Sequence, residues 1–230
     1  MPNAVIVDVV RTPGGRRNGV LSGWHPADLA AEALKALQER NGLDPAIVDD
    51  VIVGCVMQVG AQALNVGRNA VLAAGWPDTV PATTIDRQCG SSQQAYTFAA
   101  QGVMAGAYDV VVAAGVEEMS LVPMGASVSK GVGFPFTEGM NERYAEQGGL
   151  VPQGISAEMI ADQWGLSRED LDAFGARSQQ FAERARDDVD PVAYAEQLGS
   201  APPGRPHEPD GVRVVDHDER VVALGGGADP

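Results

Sequence analysis

The sequence predicts an α/β fold built on a largely parallel sheet covered on both faces. Three observations predict it. From residue 4 to residue 115, strand-like apolar runs alternate with segments of helical periodicity. Those runs are apolar almost throughout, with none of the in–out alternation of a half-exposed sheet, which is the pattern of strands buried on both sides. The chain has 230 residues, 44 % of them apolar, and is therefore long enough to bury a core of this kind.

The elements follow in order. AVIVDVV (4–10) reads as a buried strand, and RTPGGRRNGVLSG (11–23) as a Gly-rich loop. Residues 26–40 read as a helix: Leu29, Ala30, Leu34 and Leu37 fall at helical spacing, and Pro26 suits the first turn, where a missing N–H costs nothing. DVIVGCV (50–56) is a second strand, and MQVGAQALNVGR leads into a short helix at 67–75. ATTID (82–86) is a third strand, 90–106 a helix ending at Gly106, and DVVVAAG (109–115) a fourth strand. Residues 119–154 are irregular and rich in Gly, Met and Pro. Two helices are expected at 156–165 and 167–187, the second opened by Ser167 with Asp170 in the place of a capping-box Glu. Residues 190–211 read as loop and VRVVDHDE (212–219) as a last strand and turn, while the tail RVVALGGGADP carries no clear period.

Bulk composition narrows the function classes. Sixteen Lys and Arg against 31 Asp and Glu give a net charge of −15, and no basic stripe forms, which argues against nucleic acid as a partner. Two cysteines are too few for a disulfide framework. The N-terminus runs straight into a strand with no leader pattern, and no apolar stretch approaches the ~18 residues of a membrane span. The expected compartment is the cytoplasm.

One residue raises a chemical question. In TTIDRQCGSSQQA, Cys89 stands where a strand gives way to a helix, followed by Gly90, Ser91 and Ser92. Unpaired N–H groups and partial positive charge at a helix start favour a thiolate, and small neighbours let a carbonyl approach the backbone. The other reading is a small buried hydrophobe at a strand end. Cys55, inside VIVGCVM, reads as core.

VRTPGGRRNGVLSG, GCVMQVGAQALNVGR, RQCGSSQQA and AAGVEEMS, in this order, resemble the N-terminal half of a thiolase, and the likeness continues through QGISAEMIADQWGLSREDLDAFGARSQQFAERA and VVDHDE to about Glu219. The resemblance implies a layered fold of αβαβα type of which this chain holds the first of two similar halves. Residues 1–118 would carry the nucleophile, 119–219 an inserted helical and irregular loop domain, and 220–230 a tail outside the family pattern. It implies an acyltransferase working through a Cys89 thioester: thiolytic cleavage of a 3-ketoacyl-CoA, or condensation of acetyl-CoA, with coenzyme A as substrate and no metal. Pro152, Gln153 and Gly154 fall where the family often has a Met-Gly pair beside CoA, Gln153 departing from that Met. Arg220 lies near a family arginine on the adenine side, although the register fails after Glu219. Asn65 and Arg68 match a loop that supports the neighbouring subunit's site, the alternative being a helix-start Asn and a surface Arg.

The family's second half supplies a histidine, a second cysteine and an Asn-bearing loop, none of which this sequence matches. His25 reads as a surface or capping residue, His207 and His217 as solvated, and Ala223 stands where the cysteine of a Cys-x-Gly-Gly-Gly turn would be. The expectation is a chain inactive by itself, whose open packing face is covered by a second copy in a dimer or tetramer or by a complementing C-terminal half. Two other readings stand beside it: a non-catalytic thiolase-like scaffold that binds acyl-CoA, and a ketoacyl synthase of the same fold. The specificity loop, around 121–153, leaves acyl-chain length and reaction direction open.

Overall fold

A computed structural model describes residues 3–128, 133–188 and 220–228. Its centre is a sheet of five strands: β1 (Ala4–Arg11), β2 (Asp50–Gly54), β3 (Ala82–Ile85), β4 (Val110–Glu117) and β5 (Arg220–Ala228). They lie in the order β1-β5-β4-β2-β3, and every pairing is parallel. The expected parallel α/β sheet is therefore present. Three helices connect its strands: α1 (Pro26–Asn41), α2 (Val66–Ala73) and α3 (Ser91–Ala105).

Strand order decides which face each helix covers. The chain moves in one direction across the sheet from β1 to β2 to β3, then reverses from β3 to β4. Right-handed crossovers place helices on opposite faces when the direction of travel reverses. The core divides accordingly. Leu29, Leu34 and Leu37 of α1 and Val66, Ala70 and Val71 of α2 pack on Val51, Val53, Val112, Ala114 and Val116. Ala95, Ala99 and Val103 of α3 pack on Ile52, Val111 and Ala113. Alternate residues of β2 and β4 thus serve opposite faces, which is why both strands read as continuous apolar runs. Leu37 is fully buried, and its truncation to Ala would cost about 2–5 kcal/mol.

The termini of the helices follow local chemistry. His25 caps α1 by accepting a 3.3 Å hydrogen bond at Nδ1 from the Ala27 N–H, and Gly42 ends it in the left-handed region, at φ 57°. The His25 expectation therefore holds as a cap.

The structure departs from the sequence reading at the tail. Residues 220–228 are β5, inserted between β1 and β4 and paired with both. A run containing Gly225, Gly226 and Gly227 has poor strand propensity; its conformation comes from two flanking ladders, a tertiary cause that no local pattern reports. The expected strand at 212–219, the loop at 190–211, His207 and His217 lie outside the described residues.

The sheet unit runs past residue 118 to Ser127, where Val122 is buried, and resumes with β5. The second compact unit begins at Val128. Within it lie α4 (Glu138–Arg143), a short helix capped by Thr137 that the irregular composition did not suggest, and the two expected helices, α5 (Gln153–Trp164) and α6 (Arg168–Asp188). Ser167 and Asp170 bond reciprocally: Asp170 Oδ2 accepts from the Ser167 N–H at 3.0 Å, and Ser167 Oγ accepts from the Asp170 N–H at 3.1 Å. The hydrogen bonds from Ser167 hold the Asp170 carboxyl below its ordinary range. Among the described residues no helix is long and apolar enough to cross a membrane.

Candidate active site

The carboxyl edge of a parallel sheet is where crevices form, above all where the strand order reverses. The turn between β3 and α3 stands at that place. Asp86 to Gly90 carry the chain from Ile85 to the first residue of α3, and Cys89 is exposed within the turn. Its φ is 60°, left-handed for a residue with a side chain, a conformation that costs about 1 kcal/mol or more and survives where the surroundings impose it.

What imposes it is visible on both sides of the turn. Before it, Ile85 is held by a 3.0 Å hydrogen bond from the Cys55 N–H to the Ile85 carbonyl. Within it, the Gly90 N–H donates to the Arg87 carbonyl at 2.6 Å, and the Arg87 N–H to Ser91 Oγ at 3.1 Å. After it, the first turn of α3 lies directly on two glycines that are register partners, Gly54 of β2 and Gly115 of β4. A Cβ on Gly54 would overlap the backbone of Ser91 and Ser92; one on Gly115 would overlap Ser92 Oγ. Glycine at strand interiors often marks such close approach, and here it lets the helix start touch the sheet.

The helix start differs from its neighbours. α1, α2 and α4 each have a side chain accepting from an early N–H, whereas Gly90 leaves α3 with no side-chain cap. The exposed thiol therefore stands beside a helix start at which no side chain accepts from the first-turn N–H groups.

The other cysteine sits nearby in the fold and in the opposite state. Cys55 follows β2 directly and is buried. Burial, then the charges of Glu117 and Asp86, push its thiol up to about 12. It is inert core at neutral pH, as expected.

A polar network that the sequence did not announce lies beside it. The Glu117 carboxylate, at the end of β4, accepts from the backbone N–H groups of Val56 at 2.7 Å and Met57 at 3.1 Å, and from Gln62 Nε2 at 2.9 Å. Gln62, fully buried, also donates to the Met57 carbonyl at 2.9 Å and accepts from the Glu118 N–H at 2.6 Å. The one sequence signal was a pair of carboxylates immediately after an apolar strand.

Asn65 and Arg68 are occupied structurally. Asn65, at φ 60°, caps α2 by accepting from the Arg68 N–H at 3.2 Å; it also donates to the Ala82 carbonyl at 2.9 Å and accepts from Thr84 Oγ1 at 2.7 Å. The Arg68 guanidinium donates to the carbonyls of Val80 and Asp78. The preceding residue, Leu64, is 90 % exposed at φ 55°.

The remaining candidates lie elsewhere. Arg220 opens β5 opposite Ala4, at the amino edge of the sheet, a strand length from the edge that carries the Cys89 turn. In the second unit, Pro152 is the N-cap residue of α5, with no side-chain cap, and Gln153 and Gly154 form the first turn.

Comparison with known proteins gives a consistent answer. The family model described as "Thiolase, N-terminal domain" matches residues 4–192. The steroid 3-ketoacyl-CoA thiolase FadA6 of Mycobacterium tuberculosis is 46 % identical over 188 residues, covering 79 % of this chain and 46 % of that protein. A 3-ketoacyl-CoA thiolase of Aliivibrio salmonicida is 43 % identical over 80 % of this chain and 46 % of its own length. One from Aliivibrio fischeri is 38 % identical over 96 % of this chain and 54 % of its own. The chain thus spans about half the length of the curated relatives it matches.

Proposed function

The chain belongs to the thiolase family, and on that footing we propose that it accepts an acyl group on Cys89 as the nucleophilic part of a 3-ketoacyl-CoA thiolase. The observation that carries the reading is the position of Cys89: an exposed thiol in a left-handed turn, at the carboxyl edge of the sheet, beside an uncapped helix start.

In the degradative direction the Cys89 thiolate attacks the 3-keto carbon of a 3-ketoacyl-CoA. The bond between C2 and C3 breaks, the electron pair leaves on C2 as an acetyl-CoA enolate, and a proton completes acetyl-CoA. The shortened acyl chain remains as a thioester on Cys89 until the thiolate of free CoA attacks it and restores the cysteine. The N–H groups at the start of α3 are the donors assigned to the oxyanion formed at the attacked carbon. We assign Pro152, Gln153 and Gly154 to the pantetheine side of CoA.

The proton chemistry needs a base, and among the described residues the sole histidine, His25, is spent capping α1. Since the sequence also matches none of the histidine, second cysteine and Asn-bearing loop of the family's second half, we assign the base and the proton donor to C2 to a complementing second half or partner chain. The outer face of α3 supports such a covering. The helix has no charged residue, and Tyr96, Phe98 and Met104 stand exposed on it. Two free cysteines suit a reducing compartment such as the cytoplasm.

The test is a thiolysis assay on acetoacetyl-CoA plus CoA. These residues alone are expected to give no sustained turnover, and a complementing C-terminal half is expected to restore it for the native sequence but not for Cys89→Ala. Sustained turnover by the chain alone, or restored turnover in Cys89→Ala, refutes the assignment.

A further inference from the structure

We propose that Glu117 is a positioning residue for Cys89, an assignment that rests on Cys89 being the nucleophile. The argument begins with what the turn stands on. Residues 86–90 hang from the end of β3 and feed into a helix start seated on Gly54 and Gly115. The first anchor is the Cys55 N–H to Ile85 carbonyl bond; the second is the contact of Ser91 and Ser92 with the two glycines. Both anchors depend on where β2 ends relative to β4.

Glu117 sets that relation. It is the last residue of β4, two beyond Gly115, and its two oxygens take the N–H groups of Val56 and Met57, the residues that follow Cys55. One carboxylate therefore clamps the exit of β2 to the end of β4 at the level on which the Cys89 turn rests. Gln62 fixes the carboxylate in turn, donating to its Oε1 and to the Met57 carbonyl while accepting from the Glu118 N–H. Two backbone donors, one amide donor and, at 3.9 Å, the Cys55 thiol converge on a half-buried carboxylate, so removing it leaves these donors without their acceptor. The peptide after β2 then loses its fixed course, and the Cys55 anchor of β3 loosens with it. A displacement of about 1 Å at a nucleophile costs on the order of 100-fold in rate.

The experiment compares the 230-residue chain, supplemented with the complementing C-terminal half, with Glu117→Ala, Glu117→Gln and, as a destabilised control outside this hydrogen-bond network, Leu37→Ala, each treated alike. Two quantities are read: hydrogen–deuterium exchange of peptides spanning 86–93, and the rate and half-saturating concentration of Cys89 acylation by acetoacetyl-CoA. In Glu117→Ala, exchange in 86–93 is expected to rise and the acylation rate to fall by about 10-fold to 100-fold, with half-saturation within about twofold of the native chain. Glu117→Gln keeps one acceptor oxygen and falls between. Leu37→Ala loses melting temperature with neither change. If Glu117→Ala does not fold, Glu117→Gln gives the same reading with a smaller amplitude. Unchanged exchange at 86–93, an unchanged acylation rate, or a loss matched by Leu37→Ala overturns the proposal. If the native chain is not acylated at all, the nucleophile assignment fails separately, and the exchange result still decides whether Glu117 holds the turn.

Discussion

Cys55 and Cys89 both come just after strands of one sheet, β2 and β3, and at the same edge. They differ in what happens next. After Cys55 the chain is pinned down by Glu117, the thiol is buried, and nearby carboxylates hold its proton on. After β3 the chain rises through a left-handed turn, and the thiol is exposed at the start of a helix that no side chain caps. Strand ends are therefore not equivalent sites for chemistry. The backbone path beyond the strand decides whether a cysteine is packed away or left exposed.

The largest expected effect sharpens that contrast directly. In the folded chain at neutral pH, iodoacetamide should modify Cys89 and leave Cys55 untouched, with rates differing by about 1000-fold or more, since the thiolate is the reactive form. Peptide mapping by mass spectrometry reads both sites, and in guanidinium the two rates should converge.

The next effect attacks the floor beneath Cys89. Gly54→Ala places a methyl group into the backbone of Ser91 and Ser92, which has no room to give, and should cost about 3 kcal/mol in denaturant unfolding. Gly115→Ala meets the Ser92 side chain instead and should cost about 1–3 kcal/mol, relieved in part by Ser92→Gly. Equal costs with no relief would break the claim that these glycines seat α3.

A smaller effect concerns the capped neighbour. Asn65→Ala removes the cap of α2 and two bonds to β3 residues, and should lower stability by about 1–2 kcal/mol while sparing Cys89 alkylation.

A further effect, confined to alkaline pH, is a pH slope. Cys55 rises from an ordinary value of 9.0 to about 12 on folding, so the folded state holds its proton more tightly than the unfolded state does. That contribution is complete below about pH 9 and is lost as pH climbs toward 12. Tyr108, raised by its 2.8 Å hydrogen bond to Asp50, adds a slope of the same sign. Thermal melts across this range should fall with pH, less steeply in Cys55→Ala.

These residues also separate what local sequence carries from what it does not. β2 and β4 were legible because two-sided burial writes itself as an apolar run, and α1 because Leu29, Leu34 and Leu37 repeat at helical spacing. Cys89 was legible as a candidate because a strand, small residues and a helix meet there. Gly225–Gly227 in β5 were not, because their conformation is fixed by ladders to β1 and β4 from distant parts of the chain. Glu117 was visible as a carboxylate after a strand, but its partners, Val56, Met57 and Gln62, lie some sixty residues away in sequence and converge only after β2 and β4 pair. Asn65 read equally as a cap or as interface support, and the fold gives its side chain three partners inside the chain.

The most direct test is peptide-mapped mass spectrometry of the native chain, supplemented with a complementing C-terminal half, after incubation with acetoacetyl-CoA, with Cys89→Ala treated alike in parallel. The account predicts a single acetyl group on the peptide containing Cys89, none on the peptide containing Cys55, and none in the variant. An adduct that persists in Cys89→Ala, or a native chain that takes up no acetyl group, contradicts it.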